Sequence, residues 1–328
     1  MADVAKMANV SKSTVSQFIN HRYEYMSEET KARIKEAIET LGYQPNIIAR
    51  SLKQKKTSTI GVIVANILHT FSTQVIRSIE DVCNVERVNV IVCNADDDPE
   101  KEKGYIEMLL AKQVDGLIIF PTGGNFELYQ RMTKVNYPLV FVDRFVEGIN
   151  TPTILLDNRN ASEMAVKHLF DRGYKRIAML TSSIERNITP RIERMEGYKN
   201  SLLKRNLPLN DKFLAGVERK EMQTILKEMF DQPVPPDAIL AGNDLTLLEV
   251  LRFTKENGLV IPKDLGLISI DEVSFSEIYD PKLTIISQPS VEMGKMAGDI
   301  LLKQIESGKK DEHEIIRFSP ELIIRQST

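Results

Sequence analysis

The sequence predicts a small all-α head followed by a larger α/β body built as two doubly wound lobes. Three observations predict it. Residues 1–45 carry apolar positions at helical spacing between capping residues, and residues 46–58 form a short basic segment. From residue 59 onward, apolar runs of strand length alternate with amphipathic helices. The 328-residue length fits two or three domains at roughly 100–200 residues each.

In the head, Val4, Ala5, Met7 and Ala8 form the apolar stripe of a first helix. Asn9 tolerates the left-handed backbone that a sharp turn needs. Ser11 caps a second helix, in which Val15, Phe18 and Ile19 face inward while Lys12, Ser13, Ser16 and Gln17 face out. Ser27 caps a third, with Glu28 and Glu29 at its positive end and Ile34, Ala37, Ile38 and Leu41 as its buried stripe. Gly42 stops that helix and Pro45 prevents its continuation. The basic segment "NIIARSLKQKKTS" is too short to be a stable helix by itself.

In the body, nine apolar runs stand at 59–65, 88–94, 115–120, 138–142, 153–156, 176–181, 238–242, 265–270 and 283–287. Helical patterns at 73–83, 101–112, 161–170, 191–204, 245–257 and 291–305 fall between most of them. Near-continuous apolar strands separated by helices imply parallel sheets covered on both faces. Nine such repeats exceed one compact sheet, so two lobes with a cleft between them are expected. Ligands then bind at the C-terminal strand ends facing that cleft.

The whole chain carries a net charge of −3, but the distribution is uneven. Residues 1–57 hold ten Lys or Arg against six Asp or Glu, a net +4 on the head and −7 on the remainder. A basic head on an acidic body is expected where only the head meets a polyanion. No apolar run approaches membrane-spanning length, and the N-terminus lacks a secretory apolar core, so no membrane is expected. Cys83 and Cys93 are the two cysteines, without a CxxC, which fits a reducing cytoplasm and no metal site. Neither a phosphate-binding glycine loop nor a GxSxG elbow is present. The acidic run Asp96, Asp97 and Asp98 lacks calcium-loop spacing and reads as a charged turn. His21, His69, His168 and His313 are scattered, with only His69 near a cleft segment.

Several stretches carry a more specific pattern: "DVAKMANVSKSTVSQFIN", "MSEETKARIKEAIETLGYQPNIIARSLKQKKTSTIGVIV", "LLAKQVDGLIIFP", "FVDR", "RMEGYKNSL", "AGNDLTLLEVLRF" and "KLTIISQPSVEMGKMAGDILL". In this order and spacing they resemble the LacI/GalR family of bacterial transcription regulators across essentially the whole chain. The resemblance implies a small all-α helix-turn-helix head plus an α/β periplasmic-binding-protein-like body of two doubly wound lobes. It implies a head at 1–45, a hinge helix and linker at 46–58, a first lobe at 59–156 plus 288–309, and a second at 157–287 plus 310–328. It also implies a cytoplasmic homodimer on double-stranded operator DNA, repressing transcription, with affinity set by a small ligand in the cleft. No cofactor and no catalytic residue is expected.

The residue chemistry agrees with that implication. Short polar side chains at the start of a recognition helix meet base edges, which suits Lys12, Ser13 and Gln17. Ser11, Thr14, Ser16 and Asn20 suit phosphate oxygens. The family usually has Arg at position 17; Gln pairs with adenine where Arg pairs with guanine, so an A·T preference is expected there. In the hinge, the resemblance adds Asn46, Ala49, Arg50 and Leu52, the leucine matching a minor-groove wedge. Residues 46–53 are the expected two-state element between cleft and head.

For the effector, the resemblance maps Phe71, Ser72, Asp143, Arg144, Arg194, Asn243, Asp271 and Gln288 onto the cleft. Departures from the family stand at His69-Thr70, usually Asn-Pro, and at Ser269-Ile270, usually Gly and an aromatic. The first helix lacks the family's preceding capping residues and is expected to fray. Arg144, Arg186, Arg191 and Arg194 suggest an anionic ligand, a sugar acid or sugar phosphate, and "HRYEYMS" resembles the subgroup regulating 2-keto-3-deoxygluconate use. The competing reading is a cytosolic sugar-binding protein or sugar-modifying enzyme on the same scaffold, and a third is control by a protein corepressor. The chain ends at Thr328 without heptads, so a dimer is expected over a tetramer.

Overall fold

The computed structural model describes residues 1–19, 22–24, 26–43, 56–308 and 314–328. They divide into two units, residues 1–57 and residues 58–328.

The first unit contains α1 (Ala2–Met7), α2 (Lys12–Ile19) and α3 (Glu28–Thr40). Its core is Val4, Ala5, Ala8, Val15, Ile34 and Ala37, with Phe18, Ile19 and Ile38 packed against it. Asn9 turns the chain between α1 and α2 at φ +50°. Ser11 Oγ accepts from Thr14 N at 3.1 Å and Ser27 Oγ from Thr30 N at 3.2 Å, so both expected caps are in place. α1 has no side-chain cap, although Ala5 N donates to Met1 O at 3.0 Å. Two residues expected in buried stripes are exposed, Met7 at 53% and Leu41 at 42%. Helical spacing brings them near the apolar face, but each lies at its helix C-terminal edge, where among the described residues it stays exposed.

In the second unit, β1 (Thr59–Val64), β2 (Asn89–Asn94), β3 (Gly116–Ile119), β4 (Leu139–Val142) and β5 (Thr153–Leu156) alternate with α4 (Thr70–Val85), α5 (Pro99–Ala111) and α6 (Phe126–Lys134). A second lobe follows as α7 (Asn158–Asp171), β6 (Ile177–Ser182), α8 (Thr189–Lys204), β7 (Leu214–Val217), α9 (Met222–Phe230), β8 (Ala238–Ala241), α10 (Asp244–Glu256), β9 (Gly266–Ile270) and β10 (Thr284–Ser287). The chain returns to the first lobe as α11 (Ser290–Ser307) and β11 (Ile315–Phe318), then crosses once more for β12 (Glu321–Ile323).

The first sheet runs β11-β5-β4-β3-β1-β2, parallel throughout. The second runs β12-β10-β9-β8-β6-β7, parallel except for the antiparallel edge strand β12. The central strands β3, β4, β5 and β8 are buried at every position, because helices cover both faces. Apolar clusters on either face of each sheet hold the helices down, each fully buried Leu, Ile or Phe contributing about 1.5–3 kcal/mol.

The C-terminal segment departs from the expected division. Residues 310–328 do not belong wholly to the second lobe, because β11 pairs with β5, Arg317 lying opposite Leu155. Only β12 and the residues after it serve the second sheet, where Ile323 pairs with Ile285. The chain therefore crosses between lobes three times, after β5, β10 and β11. Arg317 marks the crossing region, donating to Glu193 of α8 at 2.7 and 2.9 Å.

Candidate functional site

The C-terminal ends of the strands in both lobes face one cleft. All eight residues expected there line it: Phe71, Ser72, Asp143, Arg144, Arg194, Asn243, Asp271 and Gln288. Asp143, Asp271 and Gln288 directly follow β4, β9 and β10, and Asn243 caps α10. Phe71 and Ser72 stand in the first turn of α4, whose Phe71 meets Phe120 edge-on at 6.2 Å to form an aromatic wall.

The fold spends backbone freedom to aim these groups. Asp143 has φ +68° and Asp271 φ +78°, so the corresponding aspartate of each lobe sits in left-handed backbone. Such positions cost of order 1–3 kcal/mol each and gather at functional sites. Gly242, just before Asn243, packs so closely on β6 that a Cβ there would lie 2.6 Å from Thr181 Oγ1. This contact lets Asn243 Nδ2 reach Ser182 Oγ at 2.9 Å, while Asn243 Oδ1 accepts from Thr246 N at 2.8 Å.

The charges in the cleft are matched. Arg194 donates to Asn158 Oδ1 at 2.8 Å and Gly242 O at 2.6 Å, and its Nη1 lies 3.8 Å from Asp271 Oδ2. Gln288 Nε2 donates to Asp271 Oδ1. Burial, with the charge of Asp244, raises the Asp271 carboxyl above its usual range, against the opposing pull of Arg194. Arg144 Nη2 meets Asp97 Oδ1 at 2.7 Å, and Arg191 Nη2 meets Asp97 Oδ2 at 3.1 Å. Burial would raise the Asp97 carboxyl, but Arg144 and Arg191 hold it below the usual range. Asp97 belongs to the first lobe and Arg191 to the second, so this carboxylate straps the cleft. Arg186 Nη1 adds a bond to the Asp97 carbonyl.

A second tie crosses the cleft beside it. His69 Nδ1 lies 2.5 Å from Asp244 Oδ1, and Thr70 N donates to Asp244 Oδ2 at 2.8 Å. Burial alone would lower the imidazole pKa. The hydrogen bond and charge of Asp244, with Asp271 and Asp97 nearby, outweigh it and raise His69 above its ordinary value.

In the head, α2 leaves Ser11, Lys12, Ser13 and Gln17 exposed, with Thr14 and Ser16 half-buried, while Val15 is fully buried. Ser11 Oγ is shared with Ser13 Oγ at 2.6 Å and Thr14 Oγ1 at 2.8 Å. The expected contacts Asn20, Asn46, Ala49, Arg50 and Leu52, and the hinge helix itself, lie outside the described residues.

Residues 1–46 match the model of bacterial regulatory proteins, lacI family, and residues 166–328 match the periplasmic binding protein-like domain. Over its whole length the chain is 48% identical to the "Probable HTH-type transcriptional regulator EndR" of Paenibacillus polymyxa, covering 100% of this chain and 97% of that protein. The chain belongs to the LacI family of bacterial regulatory proteins. This LacI-family regulator is also 35% identical to the HTH-type transcriptional regulator KdgR of Bacillus subtilis strain 168, over 99% of this chain and 96% of that one. Among solved structures it is similar to the Lac repressor bound to ONPG, with a TM-score of 0.85. That match covers 99% of this chain and 98% of the other at 24% identity, a likeness of fold. The family is one of transcriptional regulators, so the regulator is not an enzyme.

Sequence reasoning placed His69 and Arg191 of this LacI-family regulator near the cleft but missed their partners Asp244 and Asp97. His69 was visible as a departure from the family pattern, and Arg191 only as one of a set of basic residues. Asp97 was hidden inside an acidic run whose three members act separately. Asp96 pairs with Lys101, Asp98 caps α5 by accepting from Glu100 N at 2.9 Å, and Asp97 reaches the cleft. Among the described residues no helix is long and apolar enough to cross a membrane, and no His, Cys, Asp or Glu cluster could hold a metal ion.

Proposed function

We propose that the regulator is a cytoplasmic homodimeric repressor. It binds double-stranded operator DNA through α2 and responds to a sugar-derived ligand in the cleft. The observation that supports this most strongly is the meeting of donors and acceptors from both lobes at one place. Arg144, Arg194 and Asn243 donate; Asp143, Asp271 and Gln288 accept; Phe71 and Phe120 supply an apolar wall. Alternating donors and acceptors beside aromatic rings suit a ring bearing hydroxyl groups.

The charge balance favours neutral hydroxyls over an acid. Three cleft arginines face a carboxylate, Arg144 and Arg191 facing Asp97 and Arg194 facing Asp271, while Arg186 donates to the Asp97 carbonyl. A sugar acid such as 2-keto-3-deoxygluconate would have to displace Asp97 from its two arginines before its own carboxylate could bind. Calorimetric titration of the full chain against neutral sugars, sugar acids and sugar phosphates tests this reading. A neutral sugar is expected to bind, and binding confined to the anions contradicts the charge reading. Mobility shifts on DNA selected from a random pool test the DNA reading. Affinity is expected to fall steeply with salt, because phosphate contacts release counterions. Salt-independent binding, or none, contradicts it.

A further inference from the structure

We propose that the effector has at least two sugar rings, the first in the central cleft and the second in a side cavity walled by Phe126, Tyr129 and Phe145. The proposal rests on the reading of the cleft as a sugar site and adds the size and polarity of its occupant.

The central space among the paired residues is small, about 40 Å3, less than one sugar ring fills, so the lobes part to admit the first ring. Beside it lies a cavity of about 470 Å3, within the range of small-molecule sites. Arg144 lines both spaces, so they meet at one side chain. That guanidinium is buried and donates to Pro121 O at 3.0 Å. Its Nε, 3.5 Å from Asp143 Oδ2, makes no hydrogen bond.

The walls of the side cavity suit a sugar ring. Phe126 is 42% exposed at the start of α6, Tyr129 stands one turn further on, and Phe145 and Ile188 come from the two lobes. Glu147 and Asn187 also line it, offering polar partners to hydroxyls. The wall is braced from behind. Glu102, fully buried, accepts from Thr122 N at 2.7 Å, Asn125 Nδ2 at 3.0 Å and the Tyr129 hydroxyl. Aromatic faces offered at low conformational cost, with polar groups at their edges, fit the apolar face and hydroxyl rim of a pyranose. The space on the other side of the Asp97 strap, about 270 Å3, has no phenyl or phenol wall. It is bounded instead by Asp96, Glu185, Glu218 and Arg219, so the chain of rings extends toward Phe126.

The test is calorimetric titration of the full chain with glucose, galactose, xylose and arabinose, and with cellobiose, maltose, lactose and xylobiose. Wild type, Phe126→Ala, Phe126→Tyr and Asn243→Ala are compared. At least one disaccharide is expected to bind about tenfold tighter than its component monosaccharides. Phe126→Ala should remove that advantage and leave monosaccharide binding unchanged, Phe126→Tyr should keep it, and Asn243→Ala should weaken both lengths. Equal binding of the two lengths by wild type overturns the proposal, as does a Phe126→Ala loss shared equally by both. Absence of binding by every sugar overturns the sugar reading of the cleft, and this proposal with it.

Discussion

At the residue scale, the tie between His69 and Asp244 carries a sign that can be worked out. The folded pKa of His69 is raised, so its contribution is complete below the unfolded value of about 6.5 and fades as pH rises through the folded one. The Asp244 pKa is lowered: burial would raise it, but His69 and two backbone N–H groups outweigh that. Its contribution is lost only as pH falls through that lowered value. The pair is therefore strongest on the mildly acidic side of neutrality. His69→Gln is expected to destabilise the protein by on the order of 2 kcal/mol at about pH 6. The gap should narrow at about pH 9. Denaturant melts at the two pH values check this, and a gap that widens with pH would sink it. Gln17 is the other informative residue, exposed on α2. Gln17→Arg should move one operator position from A·T toward G·C, with a discrimination of about 1–3 kcal/mol. Selection from a random DNA pool reads this directly. The types of most cleft residues were legible in the sequence. The His69–Asp244 tie was not, because its partners are 175 positions apart and only His69 looks unusual locally.

At the element scale, the regulator depends on helices that approach closely enough to fix the strand ends. Gly197 of α8 sits against the backbone of α7, where a Cβ would fall 2.3 Å from Arg159 O. Backbone cannot swing aside as a flexible side chain can. Gly197→Ala should therefore cost about 1–3 kcal/mol by forcing the helices apart. A thermal melt checks it, and an unchanged or raised midpoint would contradict the packing account. Most of the nine apolar runs were legible because strands such as β3 and β8, buried on both faces, leave no polar positions in their interior, while the edge strand β2 showed through its apolar run despite mixed burial. β7, β11 and β12 were not, because they are sheet edges with mixed burial, as in the half-buried LAGV and the alternating IIRF. α6 and α9 were missed as well: each is only nine residues long, giving the helical period little length to show in.

At the scale of the molecule, contacts at several places join the lobes of the body, Phe145 N donating to Thr189 Oγ1 at 2.9 Å among them. Arg317 holds Glu193 at the crossing strands, Asp97 straps across to Arg186 and Arg191, and Asp244 ties His69 and Thr70. The last two border the cleft, so a ligand entering it competes with them or closes beneath them. Occupancy is thereby coupled to lobe geometry through discrete ion pairs. Coupling of this kind changes DNA affinity only by the ligand's differential affinity for the two arrangements. The most direct test measures operator affinity of the full chain, by fluorescence anisotropy, with and without each sugar that binds in calorimetry. Asn243→Ala serves as the comparison. The account predicts that a bound sugar shifts wild-type operator affinity by about tenfold or more. The variant should bind operator as wild type does without sugar, and show no shift. Operator affinity that stays constant while the cleft fills with ligand would contradict it.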